Sequence, residues 1–131
     1  MSNYRKNVNA AFGLKLHLVW CPKYRRKVLS GQIGDRLREL LYKKVEELDM
    51  QIHALEIMPD HVHIFIEFDP TWAVAGIANA LKGYTGRILR QEFASLRRRL
   101  PTLWSRSYYA GTVGHVSEET VRKYIESQKG K

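Results

Sequence analysis

Alternating hydrophobic and polar residues along the chain predict three strands within the first 68 residues. Residues 14–21 (LKLHLVWC) alternate leucine and tryptophan with other residues, which is the pattern of a strand with one face in a core. Residues 50–58 (MQIHALEIM) and 61–68 (HVHIFIEF) also read as strands, and a short turn containing Pro59 and Asp60 joins them. In the second of these, every second side chain is apolar, so one face of the strand is suited to burial.

Hydrophobic residues at helical spacing predict three helices. Residues 32–48 and 71–100 carry apolar side chains three or four positions apart, and residues 117–128 form a shorter amphipathic segment with Ser117 as its N-cap. We expect residues 71–100 to form one long helix that Pro101 ends.

Two glycines interrupt this long segment, and a last strand follows it. Gly83 and Gly86 each cost about 1 kcal/mol in a helix interior, so a kink or a close contact is expected near them. Residues 104–114 (WSRSYYAGTVG) are the candidate final strand. The order β-α-β-β-α-β-α predicts an α+β fold, namely a ferredoxin-like β-α-β-β-α-β sandwich with an antiparallel sheet and an added C-terminal helix.

Length and charge restrict the kind of protein. The 131 residues suit a single domain over 1–131, and a hydrophobic fraction of 44% supports a core. Lysine and arginine number 22 against 13 aspartates and glutamates, a net charge of +9. Such an excess favours an anionic partner, most often nucleic acid, although a solvated basic surface is the alternative.

The single cysteine and the absence of long apolar runs indicate where the protein works. Cys21 has no second cysteine with which to form an intrachain disulfide or a thiolate-rich zinc cluster, which fits the reducing cytoplasm. No segment reaches the ~18 apolar residues of a membrane span. We therefore expect a soluble cytoplasmic protein without a membrane partner.

Two histidines on one strand face are the first candidates for chemistry. His61 and His63 stand two residues apart, so both imidazoles project to the side opposite the apolar residues. Such a pair can bind one divalent metal, but two half-buried histidines with ordinary hydrogen bonds are an equally good interpretation of this motif alone. His17 of the first strand could lie near the pair if the two strands are neighbours, although His17 and His53, taken singly, are interpreted as structural.

The last helix carries a second candidate pair. Tyr124 and Gln128 are four residues apart and project from the same helical face. A phenol can act as a covalent nucleophile, and an amide oxygen can bind Mg²⁺ or Mn²⁺. A nearby cation would promote loss of the phenol proton, whose ordinary pKa is about 10. From this helix alone, a solvent-facing tyrosine and glutamine remain the simpler interpretation.

Taken together, these segments resemble the single-tyrosine HUH transposases of the insertion-sequence 200/605 type, where HUH denotes histidine, a hydrophobic residue and histidine. The motif HVH is common by itself, but MPD before it and YIESQ at the matching distance after it are specific. The segments that carry the resemblance span nearly the whole chain: VWCPKYRRKVL (19–29), MPDHVHIFI (58–66), LWSRSYYAGTVG (103–114) and SEETVRKYIESQ (117–128).

The resemblance implies a role for each motif residue. His61, His63 and Gln128 match the ligands of a divalent metal, Mg²⁺ or Mn²⁺, and Tyr124 matches the nucleophile. The implied reaction cuts single-stranded DNA, links the tyrosine to a 5′ phosphate and rejoins strands near hairpins at the element's ends. Family members act as homodimers, in which the tyrosine helix of one subunit can complete the metal site of the other. Gly111 and Gly114 would form the hinge for that exchange.

Basic and aromatic residues supply candidate DNA contacts, because single-strand binding combines phosphate neutralisation with stacking. They fall in two clusters: Lys23, Tyr24, Arg25 and Arg26 in the first, and Arg97, Arg98 and Arg99 in the second.

Three other classes of protein are alternatives to this interpretation of the sequence. An RRM-like binding module would carry aromatic residues where this chain has HVHIFIEF (61–68), and a two-motif H-x-T/S phosphoesterase would need a second histidine pair with hydroxyl partners. A host-adopted relative of the same transposase class, acting on repetitive palindromes, would have the same chemistry and stays open.

Overall fold

The alternating segments are strands and the periodic segments are helices, with some differences in extent. The structure is a computed structural model that describes residues 5–6, 11–112 and 118–131. Its elements are β1 (Arg5–Lys6), β2 (Ala11–Phe12), β3 (Leu14–Trp20), α1 (Gly31–Glu47), β4 (Gln51–Met58), β5 (His61–Phe68), α2 (Val74–Glu92), α3 (Ala94–Arg99), β6 (Tyr109–Thr112) and α4 (Glu118–Ser127).

Strands β3 to β6 form one antiparallel sheet in the order β4-β5-β3-β6, while β1 and β2 pair separately. The central strand β3 pairs with β5 on one side and with β6 on the other. Helices α1 and α2 follow β3 and β5 respectively, as in a ferredoxin-like β-α-β-β-α-β unit. The predicted α+β fold with an antiparallel sheet and an added C-terminal helix is confirmed.

The core covers one face of this sheet. Val62, Ile64 and Ile66 of β5 are fully buried, as their alternation predicted. They belong to a hydrophobic cluster with residues of both long helices, among them Leu37 and Leu41 of α1 and Ile77 and Leu81 of α2. The opposite face of β5 is thus left for His61 and His63.

The predicted long helix over residues 71–100 is wrong in one respect, because it is two helices. Phe93 has an extended backbone (φ −119°, ψ 97°) between α2 and α3. The Arg97 guanidinium donates hydrogen bonds to the carbonyls of Arg90 and Gln91, which replaces bonds that the break removes. Side-chain capping of this kind depends on contacts that helical periodicity does not show.

The predicted strand over residues 104–114 is also shorter in the structure. Regular pairing is limited to β6, and Trp104 forms only an isolated bridge with Pro22. The loop between them instead follows the end of β3, where the Ser105 amide donates to the Cys21 carbonyl at 3.0 Å. Gly111, one of the two predicted hinge residues, lies in β6 and pairs with His17. Gly114, the other hinge residue, and Ser117, the predicted N-cap, lie outside the described residues.

No helix in the described parts of the chain is both long enough and apolar enough to cross a membrane.

Candidate active site

The His61 imidazole is held by the turn that precedes β5. Its Nδ1 atom lies 2.9 Å from Oδ1 of Asp60, and the ring is partly buried. A carboxylate accepts the Nδ1 hydrogen of a neutral imidazole, so the free lone pair is on Nε2. Asp60 therefore orients His61 as a carboxylate orients a metal-binding histidine.

The His63 imidazole is held by a third histidine, His17 of β3. His17 Nδ1 lies 2.9 Å from His63 Nε2, so one ring donates a hydrogen bond to the other. The sheet register explains the contact, because His17 pairs with Phe65, which is two residues beyond His63 on the same face. His17 also stacks on the Phe65 ring, with 4.3 Å between ring centroids. The expected neighbourhood of His17 and the pair is thus observed, and His17 makes a direct contact with His63 in addition to its packing in the sheet.

Both of these rings favour the neutral form. Burial lowers the pKa of His17, and burial together with the charge of His17 lowers the pKa of His63. Neutral imidazole is the form that binds metal, so neither ring has to lose a proton at pH 7 before it can act as a ligand.

Helix α4 lies on the same face of the sheet as the two histidines of β5. Val19 of β3 pairs with His63 on one side and with Tyr109 of β6 on the other, so these three residues form a row across the sheet. The Tyr109 and Tyr124 rings are in contact, with centroids 6.0 Å apart. Tyr109 lies two strand spacings from His63, or about 10 Å. Tyr124 is therefore placed above the face that carries the histidines, two strands to the side.

The Tyr124 phenol is half-buried and neutral. Its hydroxyl forms a 3.0 Å hydrogen bond with Oγ of Ser107. Burial raises the pKa of Tyr124 to about 12, and the hydrogen bond with Ser107 opposes that rise. A phenol with this pKa keeps its proton at neutral pH unless a cation approaches it.

The Gln128 side chain is more buried than expected, with 6% of its surface exposed. Its Oε1 atom accepts hydrogen bonds from Ser105 Oγ at 3.0 Å and from Ser107 Oγ at 2.8 Å. The predicted common direction of Tyr124 and Gln128 is confirmed, because both contact Ser107. In this arrangement the amide oxygen is bonded to serines, not directed at the histidines.

The chemistry of these donors fits a divalent metal, with one requirement. In the described part of the chain, no three histidine, cysteine, aspartate or glutamate side chains are grouped so that they hold an ion. His61 and His63 thus need a further ligand of another kind, and an amide oxygen such as that of Gln128 is chemically suitable.

A basic cleft of about 730 Å³ lies beside this site. It brings together residues distant in sequence, namely Tyr24, Arg25, Arg26, Lys27, Arg99, Lys129 and Gly130. The residues that line it include no carboxylate, and Lys129 comes directly after Gln128. The two predicted basic clusters therefore meet in space through Arg26 and Arg99.

The remaining candidate DNA contacts, Lys23, Arg97 and Arg98, are not among the residues that line this cleft. The Lys23 ammonium lies 5.2 Å from the centre of the Tyr24 ring. Arg98 is exposed on α3, whereas the Arg97 guanidinium is bonded to helix carbonyls. Arg97 thus has a structural role that its place in a basic run did not suggest.

Three residues that hold the tyrosine helix in place were missed from sequence. Ser105 and Ser107 bond to Tyr124 and Gln128, and Lys82 of α2 donates to the carbonyls of both serines at 2.7 and 3.0 Å. Burial lowers the pKa of Lys82. Serines in a loop carry no periodic signal, so their position within the segment WSRSYY (104–109), before the tyrosine motif, was the available sequence signal.

Comparison with known proteins identifies the family. A family model described as IS200-like transposase matches residues 10–128. The ISDra2 transposase TnpA of Deinococcus radiodurans is 34% identical over 129 residues, which cover 97% of this chain and 92% of that relative. The transposase for insertion sequence element IS200 of Salmonella typhimurium is 29% identical over 130 residues, covering 98% and 85% respectively.

Solved structures agree with this family. The crystal structure of a Deinococcus radiodurans chain assigned as a transposase has a TM-score of 0.85 and 32% identity, and the match covers 97% of this chain and 99% of that one. A REP-associated tyrosine transposase bound to a REP hairpin has a TM-score of 0.57 at 16% identity, covering 96% and 69%, which shows a shared fold. The family model covers residues 10–128, and this range includes both candidate motifs. The chain therefore belongs to the family of IS200-like transposases.

Proposed function

We propose that this transposase cuts and rejoins single-stranded DNA at insertion-sequence ends through a covalent link to Tyr124. The observation that carries the proposal is the row His63–Val19–Tyr109, because Tyr109 contacts Tyr124. The Tyr124 phenol and the imidazoles of His61 and His63 thus lie on one face of the sheet. These are the nucleophile and the metal ligands that a phosphotyrosine mechanism requires.

In the proposed reaction the Tyr124 oxygen attacks a DNA phosphorus atom, and the bond from phosphorus to the 3′ oxygen breaks. The phenol loses its proton and the released 3′ oxygen gains one, so a 5′-phosphotyrosine and a 3′ hydroxyl form. Attack by a 3′ hydroxyl on the phosphotyrosine reverses these steps and joins strands. Since one phosphodiester replaces another, no external energy source is needed.

The chain's own residues prepare this step. A bound Mg²⁺ or Mn²⁺ ion would supply positive charge that polarises the phosphate and favours the phenolate. His61 and His63 would hold it, the first oriented by Asp60 and the second by His17. Gln128 would complete the ligand set if its side-chain oxygen gave up the hydrogen bonds from Ser105 and Ser107 and bound the ion instead.

That exchange requires the tyrosine helix to change position. We propose that the protein works as a homodimer in which the Tyr124 helix of one subunit completes the His61–His63 site of the other. The contacts of α4 with residues 105–107 are hydrogen bonds that hydroxyl and amide groups can exchange for bonds to water, which supports a helix that can leave this position. Sedimentation velocity would detect the dimer directly.

The substrate is proposed to be a DNA hairpin with single-stranded flanks, bound in the cytoplasm. The net charge of +9 and the basic cleft beside α4 support an anionic polymer. The structural relative at 16% identity is described as bound to a REP hairpin, which makes a hairpin the natural first substrate to test. Lys23, Tyr24, Arg25, Arg26, Arg97 and Arg98 stay proposed contacts.

The experiment is incubation of the full chain with single-stranded hairpin DNA and Mg²⁺ or Mn²⁺, followed by denaturing gels. We expect a covalent protein–DNA adduct that Tyr124→Phe abolishes. Tyr109→Phe is the matched control, since its ring lies against Tyr124 but is not the proposed nucleophile, and it should retain the adduct. An adduct that persists with Phe at position 124 would sink the mechanism, and binding without cleavage would favour a non-catalytic module.

A further inference from the structure

One side chain spans the gap between the metal-binding turn and the tyrosine helix. Arg25 Nε lies 3.5 Å from Oδ2 of Asp60, and Arg25 Nη1 donates a hydrogen bond to the Ile125 carbonyl at 3.2 Å. The other oxygen of Asp60 holds His61, as described above. A continuous chain of contacts therefore runs from His61 through Asp60 and Arg25 to the residue next to Tyr124.

The backbone conformation of the turn at Tyr24 and Arg25 directs the Arg25 side chain between Asp60 and α4. Tyr24 and Arg25 have φ values of 59° and 52°, two consecutive left-handed residues that are not glycine. Side chains disfavour this conformation, so it persists only where surrounding contacts impose it. The Lys23 amide donates to the Leu103 carbonyl at 2.8 Å, and Pro22 forms a bridge with Trp104. These contacts anchor the turn and direct the guanidinium between Asp60 and α4.

The acceptor on α4 is suited to a cation. Ile125 lies in the last turn of the helix, where carbonyl oxygens carry the negative end of the helix dipole. The planar guanidinium offers several N–H groups in fixed directions, so it can bond Asp60 and the carbonyl at the same time. A lysine ammonium is a point donor on a flexible stem and cannot keep both bonds in this geometry.

We infer that Arg25 is a positioning residue that couples the placement of the Tyr124 helix to the orientation of His61. The inference deepens the proposed function and rests on it for the roles of Tyr124 and His61. It assigns to Arg25 a task different from direct DNA contact, the role suggested by its place in a basic run. When α4 leaves this position, Arg25 loses its acceptor at Ile125, so its place beside Asp60 is no longer fixed from the helix side and the support of His61 changes with it.

The first test measures the helix itself, by hydrogen exchange of residues 118–128 in the full-length, DNA-free protein. Arg25→Gln and Arg25→Lys should each speed exchange of this segment about tenfold, because a charge-assisted hydrogen bond to the helix is lost. Arg26→Gln is the matched control, since Arg26 is the next residue, is exposed and lines the same cleft. It should leave the exchange of residues 118–128 unchanged.

The second test measures the metal site, by titration of the same variants with Mn²⁺ followed by electron paramagnetic resonance. Arg25→Gln and Asp60→Asn should each weaken Mn²⁺ binding by about tenfold, and the double variant should be no weaker than Asp60→Asn alone. Coupling of this kind is expected only if the arginine acts on His61 through Asp60. Arg26→Gln should bind Mn²⁺ as the unchanged protein does.

One outcome for the Arg25 variants would overturn the inference. If Arg25→Gln and Arg25→Lys leave both helix exchange and Mn²⁺ affinity unchanged while weakening hairpin binding as Arg26→Gln does, Arg25 is a DNA contact and not a link. Both measurements are made without DNA or turnover. A failure of the proposed function would instead appear as a missing adduct in the unchanged protein, so the two failures are distinguishable.

Discussion

At the scale of single residues, each histidine of the HVH motif (61–63) is held by a residue outside that motif. Asp60, the residue directly before the motif, holds His61. His17 holds His63 from a different strand, 46 residues earlier in the chain. A ligand whose ring is fixed by a second hydrogen bond loses less freedom when it binds an ion, so at the proposed metal site these neighbours would strengthen metal binding.

His17→Phe should weaken Mn²⁺ binding by about tenfold to a hundredfold, because the ring that orients His63 can no longer form a hydrogen bond. Phenylalanine retains the stacking on Phe65, so the fold should be kept. Isothermal titration of the DNA-free protein with Mn²⁺ is the measurement. The matched control is His53→Gln, since His53 also contacts the Phe65 ring but bonds to Glu67. Equal Mn²⁺ affinity for His17→Phe and the unchanged protein would refute the role of His17.

At the scale of elements, helix α2 supports the loop that holds the tyrosine helix. An added Cβ at Gly86 would lie 3.2 Å from Cδ1 of Trp104, whereas one at Gly83 would meet nothing within 4 Å. Trp104 cannot easily yield, because its Nε1 donates to Thr85 Oγ1 at 3.1 Å and its ring packs edge-on against Trp20. The close contact expected from sequence is therefore found at Gly86 and not at Gly83.

Alanine at these two glycines should have opposite effects on stability. Gly83→Ala should raise the free energy of unfolding by about 0.5–1 kcal/mol, because it removes helix-disfavouring freedom without a clash. Gly86→Ala should lower it by about 1 kcal/mol, since overpacking against Trp104 outweighs the same gain. Urea unfolding followed by circular dichroism compares the two. A Gly86→Ala protein as stable as Gly83→Ala would show that Trp104 moves freely.

At the scale of the whole molecule, part of the excess positive charge lies together in one cleft where α4 ends. Arg26, Arg99 and Lys129 come from three separate segments, yet they line one cleft beside the last residues of the tyrosine helix. A solvated basic surface would have spread these charges, whereas a cleft without carboxylates concentrates their potential. The arrangement suits the phosphates of a single strand that approaches Tyr124, and the exposed Tyr24 ring offers a surface for a base.

Alanine at Arg26, Arg99 or Lys129 should weaken binding of single-stranded DNA and lower its salt dependence. Each lost phosphate contact should reduce the slope of log K against log salt concentration by about 0.7. Fluorescence anisotropy between about 50 and about 200 mM salt gives that slope. Lys43→Ala is the control, because Lys43 is exposed on α1 and is not among the residues that line the cleft. An effect of Lys43→Ala equal to the others would indicate charge alone, without a defined site.

The sequence by itself determined the features that depend on local order. Alternation along residues 61–68 placed the valine and isoleucines in the core and His61 and His63 on the other face, because strand side chains alternate for steric reasons. Spacing of four residues likewise set Tyr124 and Gln128 on one side of α4. The motif order was sufficient to identify the family.

Only the tertiary structure decided which separate segments meet. The contact of His17 with His63 follows from the register of β3 against β5, and the Arg25 link depends on how a turn packs against both Asp60 and α4. The helix break at Phe93 also could not be predicted from sequence periodicity, because Arg97, which caps the carbonyls at the end of α2, lies after the break. Periodicity reports which face of an element is apolar. Register, capping and loop contacts arise between elements, so their partners are chosen only when the chain has folded.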